Sequence, residues 1–202
     1  MDLLEDYVAQ VREEIGYEIP LAIDHFGHVC VEDCIRFAKR MEVYNIAWME
    51  DPVPWQYTNQ YVRLANSTSI PIATGEDIYL KEGFEPLIRS GGVSVVHPDV
   101  LTAGGILETK KIGEIAYENG VAVAVHMAES PIGCMAAIHA AAAMPQLLAV
   151  EFHSADVPWS FCLTRAAATS AARPGKGAAE PDCAKRVYRG AYGPGPWHRG
   201  AQ

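Results

Sequence analysis

The sequence has no apolar run near the ~20 residues that a membrane-spanning helix needs, so a helical membrane protein is not expected. It has no CxxC pair. Its five cysteines (Cys30, Cys34, Cys134, Cys162 and Cys183) are odd in number, which disfavours a disulfide framework or a zinc ribbon and fits a reducing cytoplasm. The start, Met1-Asp2-Leu3-Leu4-Glu5-Asp6, is acidic and lacks a secretory pattern. Positive charge is scarce: 16 Lys/Arg stand against 25 Asp/Glu, a formal net charge of −9. Residues 1–159 hold nine of those basic residues and 23 of the acids, and so acidic a body disfavours nucleic-acid binding. The other seven basic residues lie in 160–202, where a solvated end is a plainer reading than a polyanion site.

What remains is a chain that is half hydrophobic, 202 residues long, and sufficient for one sizeable soluble domain. Helical stripes alternate with short apolar runs at an interval of roughly 25 residues. Apolar positions 4, 8, 11 and 15 predict a leading helix. Strands are predicted over 21–24, 46–51, 70–76, 93–99, 121–126 and 147–151, with helices over 31–41, 57–66, 81–90, 105–119 and 131–143. One strand plus one helix per unit implies a parallel sheet. Six strands behind a leading helix are short of a closed (β/α)₈ barrel, which takes about 250 residues. The expected fold is therefore α/β, a partial TIM-type barrel over 1–159. From Ser160 the chain turns to Ala, Gly, Pro and Arg without sustained apolar periodicity. Residues 160–202 are expected to be a disordered or aberrant tail.

Asp24, Glu50 and Glu76 fall 26 residues apart, each closing an apolar run and opening a loop. The same beat continues with Asp99, His126 and Glu151. Strand ends of a parallel barrel converge on one mouth. Acids at strand ends can simply cap helices or face solvent. Three carboxylates converging at equal spacing, however, repel one another unless a cation sits among them, and hard oxygen donors suit Mg²⁺.

Asp99 and His126 end adjacent strands, and an aspartate beside a histidine can orient the ring as a general base. Two unrelated polar strand ends are an equal reading from the sequence alone, and the neighbouring metal site favours catalysis. Glu151 is a candidate for a substrate hydrogen bond or for a structural loop contact. Ser130, ahead of Pro131 at a helix start, could help to place backbone N–H groups toward a carboxylate. His25 and His28 follow Asp24 directly. Strand alternation turns position 25 away and leaves His28 in the mouth loop. His97 shares the face of Asp99 and could line the pocket or pack in the core. Trp48, Trp55 and Trp159 read most simply as packing.

These segments resemble the enolase superfamily, in its mandelate racemase-like group. The resemblance rests on Ala22-Ile23-Asp24-His25-Phe26-Gly27-His28, Trp48-Met49-Glu50-Asp51-Pro52 and Ala73-Thr74-Gly75-Glu76-Asp77. It continues through His97-Pro98-Asp99 with Gly104-Gly105, Val125-His126 with Ser130-Pro131, and Val150-Glu151. It implies Asp24, Glu50 and Glu76 as Mg²⁺ ligands, His126 oriented by Asp99 as the base, and Glu151 as a hydrogen-bonding partner of the substrate. His28 or His25 is the candidate general acid, and His126 could perform both steps; many dehydratases of this group carry Asp-x-His after the first metal strand, and here the sequence departs from them with Phe at position 26. The implied activity is an acid-sugar dehydratase, a lyase that takes the proton α to a carboxylate and expels the β-hydroxyl. The alternatives are a racemase, epimerase or cycloisomerase on the same scaffold, or an inactive remnant serving as a binding or assembly module. The resemblance also implies a capping domain and earlier barrel strands that this chain does not carry. An open barrel exposes unpaired edges, so a homo-oligomer is expected.

Overall fold

The computed structural model describes residues 2–24, 29–128 and 130–152. His25 and His28 lie outside the described residues, as do the boundary expected at 159 and the tail 160–202.

The chain opens on α1 (Asp2–Ile15) and then alternates strand and helix. The order is β1 (Leu21–Asp24), α2 (Val31–Met41), a 3₁₀ turn (Glu42–Tyr44), β2 (Ile46–Glu50), α3 (Thr58–Ala65), β3 (Ile72–Thr74) and α4 (Leu80–Ser90). It continues through β4 (Val95–Val96), α5 (Ile106–Glu118), β5 (Ala122–Val125), α6 (Pro131–Ala141) and β6 (Leu147–Val150). All six strands are parallel and pair in chain order, forming a curled half-barrel with helices outside, as expected from the sequence.

Local chemistry explains the element boundaries. α2 carries Glu32 and Asp33 in its first turn and Lys39 and Arg40 in its last, which complements the helix dipole. α6 starts at Ser130, whose side chain accepts a hydrogen bond from the Gly133 backbone N–H, with Pro131 next. α4 ends at Gly91 in the left-handed conformation. Strands β3 and β4 are shorter than the apolar runs that predict them. Pro71 and Pro98 have no N–H to give a ladder, so regular pairing begins after the first and stops before the second. Beyond Pro98 the pairing resumes as a single parallel bridge, Asp99 to His126.

Alternation, shifted between β1 and β2 by an irregularity that pairs Leu21 with Ile46 but Ile23 with Met49, divides the apolar residues in two. Ile46, Met49, Ile72, Val96, Val123 and Val125 join the helices in the main core. Ala73, Val95 and Ala124, with Trp48, Ala122 and Ala149 against them, fill the concave interior. Residues on this inner side are mostly small, which leaves room for the Trp48 ring. The same face carries Glu50, His97, Asp99, His126 and Glu151 at or beyond the strand ends. At Gly75 a Cβ would lie 2.8 Å from the His97 backbone, so only glycine lets the end of β3 approach β4 this closely. Among the described residues, no helix is long and apolar enough to cross a membrane.

Candidate active site

Asp24 and Glu50 end β1 and β2 in register as paired positions, and Glu50 is also in register with Ala73 of β3. Asp24 is exposed, Glu50 is buried, and Glu76 is half-buried in the loop after β3. One oxygen each of Glu50, Asp51 and Glu76 lies within 4.8 Å of the others. Asp24 is close enough for its charge to raise the pKa values of both Asp51 and Glu76.

Asp51 is a member of this cluster that the strand-end pattern misses. It sits at φ 39°, in the left-handed region, and Thr74 Oγ1 donates to its Oδ1 at 2.5 Å. Aspartate tolerates that conformation better than most residues. Burial, reinforced by Glu50, Glu76 and Asp24, pushes its carboxyl up to about 7 against the opposing Thr74 bond. Burial also raises Glu76, with Asp24, Glu50 and Asp77 adding to the effect and His126 opposing it. Burial alone would raise Glu50 as well, but His97 and Trp48 outweigh it and hold its carboxyl below the ordinary range.

The donor set is therefore hard, acidic and mutually repulsive, which is the chemistry that fits Mg²⁺. A second grouping, Glu50, His97 and Glu151, also brings one donor atom from each residue within 4.8 Å.

Asp99 is buried and fully committed. Its Oδ1 accepts the backbone N–H groups of Leu101 (2.8 Å) and Thr102 (3.0 Å), and its Oδ2 lies 2.8 Å from His126 Nδ1. An ionised carboxylate only accepts, so Nδ1 carries the proton and donates. His126 Nε2 then faces Glu76 at 2.9 Å and Glu151 at 3.8 Å. Burial lowers the basicity of this ring, but the Asp99 hydrogen bond and the charges of Glu76, Glu151 and Asp99 prevail and push it up to about 9. Glu151 Oε2 accepts the Met127 backbone N–H at 3.3 Å.

The remaining candidates divide as follows. The Ser130 hydroxyl caps α6, and the residue is exposed. His97 has no exposed surface, and its Nδ1 lies 2.9 Å from Glu50 Oε1. That is hydrogen-bond distance, yet neither ring nitrogen is aligned for a hydrogen bond. Trp48 does more than pack: its indole N–H donates to Glu50 Oε2 at 3.1 Å. Period two places Trp48 on the face of Glu50, so the sequence carried that signal.

The family model described as enolase C-terminal domain-like matches residues 2–183, reaching into the stretch read above as a tail. The chain is 36% identical over 154 residues to a D-xylonate dehydratase of Haloferax volcanii, covering 76% of this chain and 37% of that one. It is 35% identical over 139 residues to a D-galactonate dehydratase of Cronobacter sakazakii, covering 69% and 36%. Among solved structures, the 3,6-anhydro-D-galactonate cycloisomerase of Zobellia galactanivorans superposes with a TM-score of 0.75 at 32% identity, over 79% of this chain and 45% of that one. A mandelate racemase/muconate lactonizing enzyme-like protein of Rubrobacter xylanophilus gives 0.76 at 35% identity, over 79% and 40%. The chain thus spans well under half the length of the curated relatives it matches. With its half-barrel and acidic strand ends, the chain belongs to the enolase C-terminal domain-like family, in the mandelate racemase-like part of the enolase superfamily.

Proposed function

We propose that this chain carries the acid–base half of a Mg²⁺-dependent sugar-acid dehydratase. Asp24, Glu50 and Glu76 would hold the ion. When bound, it would supply positive charge to the substrate carboxylate, making the adjacent C–H more acidic. His126 Nε2 takes the α-proton once the ring is neutral, and a cation held by Glu76 would offset the carboxylate charge that otherwise helps to raise the ring to about 9. Asp99 keeps the ring in the required tautomer and stabilises the imidazolium that forms. The electron pair released at the α-carbon forms a C=C bond as the β C–O bond breaks. The departing hydroxide takes a proton from His28 or His25, or back from His126, and leaves as water. The resulting enol tautomerises to a 2-keto-3-deoxy acid. Glu151 hydrogen-bonds the substrate, and Ser130 borders the same mouth. The substrate class is an aldonate or aldarate, in line with the D-xylonate and D-galactonate dehydratases to which the chain is similar.

The observation that carries this reading is the chain of contacts from Asp99 through His126 to Glu76, 2.8 Å and 2.9 Å long. It links a fixed base to the carboxylate cluster. The similarity to a cycloisomerase supports a second reading, in which the same proton abstraction leads to isomerisation without loss of water. Incubating the chain with Mg²⁺ and a panel of sugar acids that includes D-xylonate and D-galactonate separates them. A 2-keto-3-deoxy product supports dehydration. An isomer of unchanged mass supports the second reading, and no turnover of any acid contradicts both for this chain. A homo-oligomer is also proposed, because among the described residues β1 and β6 each leave an edge unpaired, with Leu148 and Phe152 exposed by the latter.

A further inference from the structure

We propose that half-buried Trp48 and fully buried His97 form a clamp that fixes the Glu50 carboxylate and thereby sets the affinity of the acidic cluster for its divalent cation. Both are positioning residues, and the proposal rests on the reading of Glu50 as a Mg²⁺ ligand.

The two oxygens of Glu50 are contacted separately. Trp48 Nε1 donates to Oε2 at 3.1 Å, and His97 Nδ1 stands 2.9 Å from Oε1. The two rings also touch each other, with centroids 5.6 Å apart and planes tilted by 56°. With Oε2 hydrogen-bonded to the indole and the imidazole packed 2.9 Å from Oε1, the carboxylate loses torsional freedom before any cation arrives, and each oxygen keeps a lone pair for coordination.

Three features show that the fold is shaped around this arrangement. Ala73, Ala122, Ala124 and Ala149 keep the inner face small beside the indole. Gly75 leaves the His97 backbone a gap that one added methyl would close. His97 itself is a poor choice for a core: it is fully buried, and neither ring nitrogen has a well-aligned hydrogen bond. Burying polar atoms without partners is destabilising, and an apolar side chain of similar volume would pack as well or better. The polar ring is therefore explained by what it does to Glu50 rather than by packing.

The test is Mg²⁺ affinity by calorimetry, cross-checked by Mn²⁺ titration with detection of the free ion by electron paramagnetic resonance. Metal-free thermal melts in chelator accompany both. His97→Leu is expected to weaken affinity by about tenfold or more, the range seen when outer partners of metal ligands are removed. Its metal-free Tm should be unchanged or higher. His97→Gln, which keeps a donor, should recover most of the affinity. Trp48→Phe keeps an aromatic ring and loses only the N–H, so it carries the test should His97→Leu not fold, and it too should bind more weakly. Unchanged affinity in Trp48→Phe and in every folded His97 variant would overturn the clamp while leaving the metal site standing. Absence of Mg²⁺ and Mn²⁺ binding by the unaltered chain would overturn both, and is seen before any variant is made.

Discussion

Asp99 and His126 face each other across the parallel bridge that joins the ends of β4 and β5, with 2.8 Å between Oδ2 and Nδ1. The other oxygen of Asp99 is tied to two backbone N–H groups, so the carboxylate cannot swing away from the ring. A histidine held this way keeps Nε2 free of its own proton whenever the ring is neutral.

Asp99→Asn should therefore leave the fold intact and remove the base. The amide oxygen can still accept from Leu101 and Thr102, but its NH₂ group then faces Nδ1 and selects the wrong tautomer. Exchange at the substrate α-carbon should fall by roughly 10²–10⁴-fold, the usual range for a positioned general base. The metal-free Tm should change little. Exchange within a factor of about two of the parent would remove Asp99 from this role.

Glu76→Gln should have opposite effects on stability and on binding. Removing one of several mutually repelling carboxylates should raise the metal-free Tm. The same change should weaken Mg²⁺ binding by about tenfold or more, since even outer-sphere losses reach that size. Calorimetry and a melt in chelator check the pair. Unchanged affinity would remove Glu76 from the ligand set.

Arg12 makes a third case, far from the mouth. It is buried on α1, and its guanidinium donates to four backbone carbonyls, those of Gly16, Ile19, Tyr44 and Asn45, at 2.7–3.1 Å. It also lies over the Tyr17 ring at 5.1 Å. Arg12→Ala leaves those carbonyls without partners and should cost about 2–4 kcal/mol. In a domain of this size that lowers Tm by roughly 5–15 °C. Arg12→Lys should rescue only part of the loss, because an ammonium has three donors and no fork. Full rescue by lysine would show that charge alone matters there.

Cys34 tests burial directly. Its Sγ lies 3.0 Å from the Pro52 carbonyl oxygen, and burial, with smaller effects of Cys30 and Asp33, pushes its thiol up to about 11. At pH 8 its thiolate fraction is then about 90-fold below that of a thiol with the ordinary value of 9.0. Alkylation mapped by mass spectrometry should modify exposed Cys30 well before Cys34. The sign of the stability effect follows. Between the ordinary value of 9.0 and about 11, the unfolded thiol ionises while the folded one stays protonated. Cys34 therefore lowers stability as pH rises through that window. Equal labelling of the two cysteines at pH 8 would contradict the burial.

Much of this architecture was legible in the sequence because it is periodic. A parallel (β/α) unit recurs at a nearly constant length, so apolar runs and the polar residues ending them mark strands and mouth together. The Asp24–Glu50 register and the Asp99–His126 bridge are consequences of that period. What the period does not encode is how a side chain is used. Trp48 shares the face of Glu50 by alternation, yet only the indole orientation reveals a donor where packing alone is expected. Asp51 follows Glu50 directly, and alternation would turn it outward. Its backbone at φ 39° and the Thr74 bond bring it into the cluster. For His97, strand phase gives the face but not the depth.

Proton exchange at the substrate α-carbon decides whether His126 is the base. The 202-residue chain, loaded with Mg²⁺, would be incubated in D₂O with D-xylonate or D-galactonate and followed by proton NMR, beside His126→Asn. The α-proton signal should be lost with the parent chain. The loss should be at least about 10²-fold slower with His126→Asn, at unchanged Mg²⁺ affinity. Equal rates in the two proteins would contradict the assignment of His126 as the base.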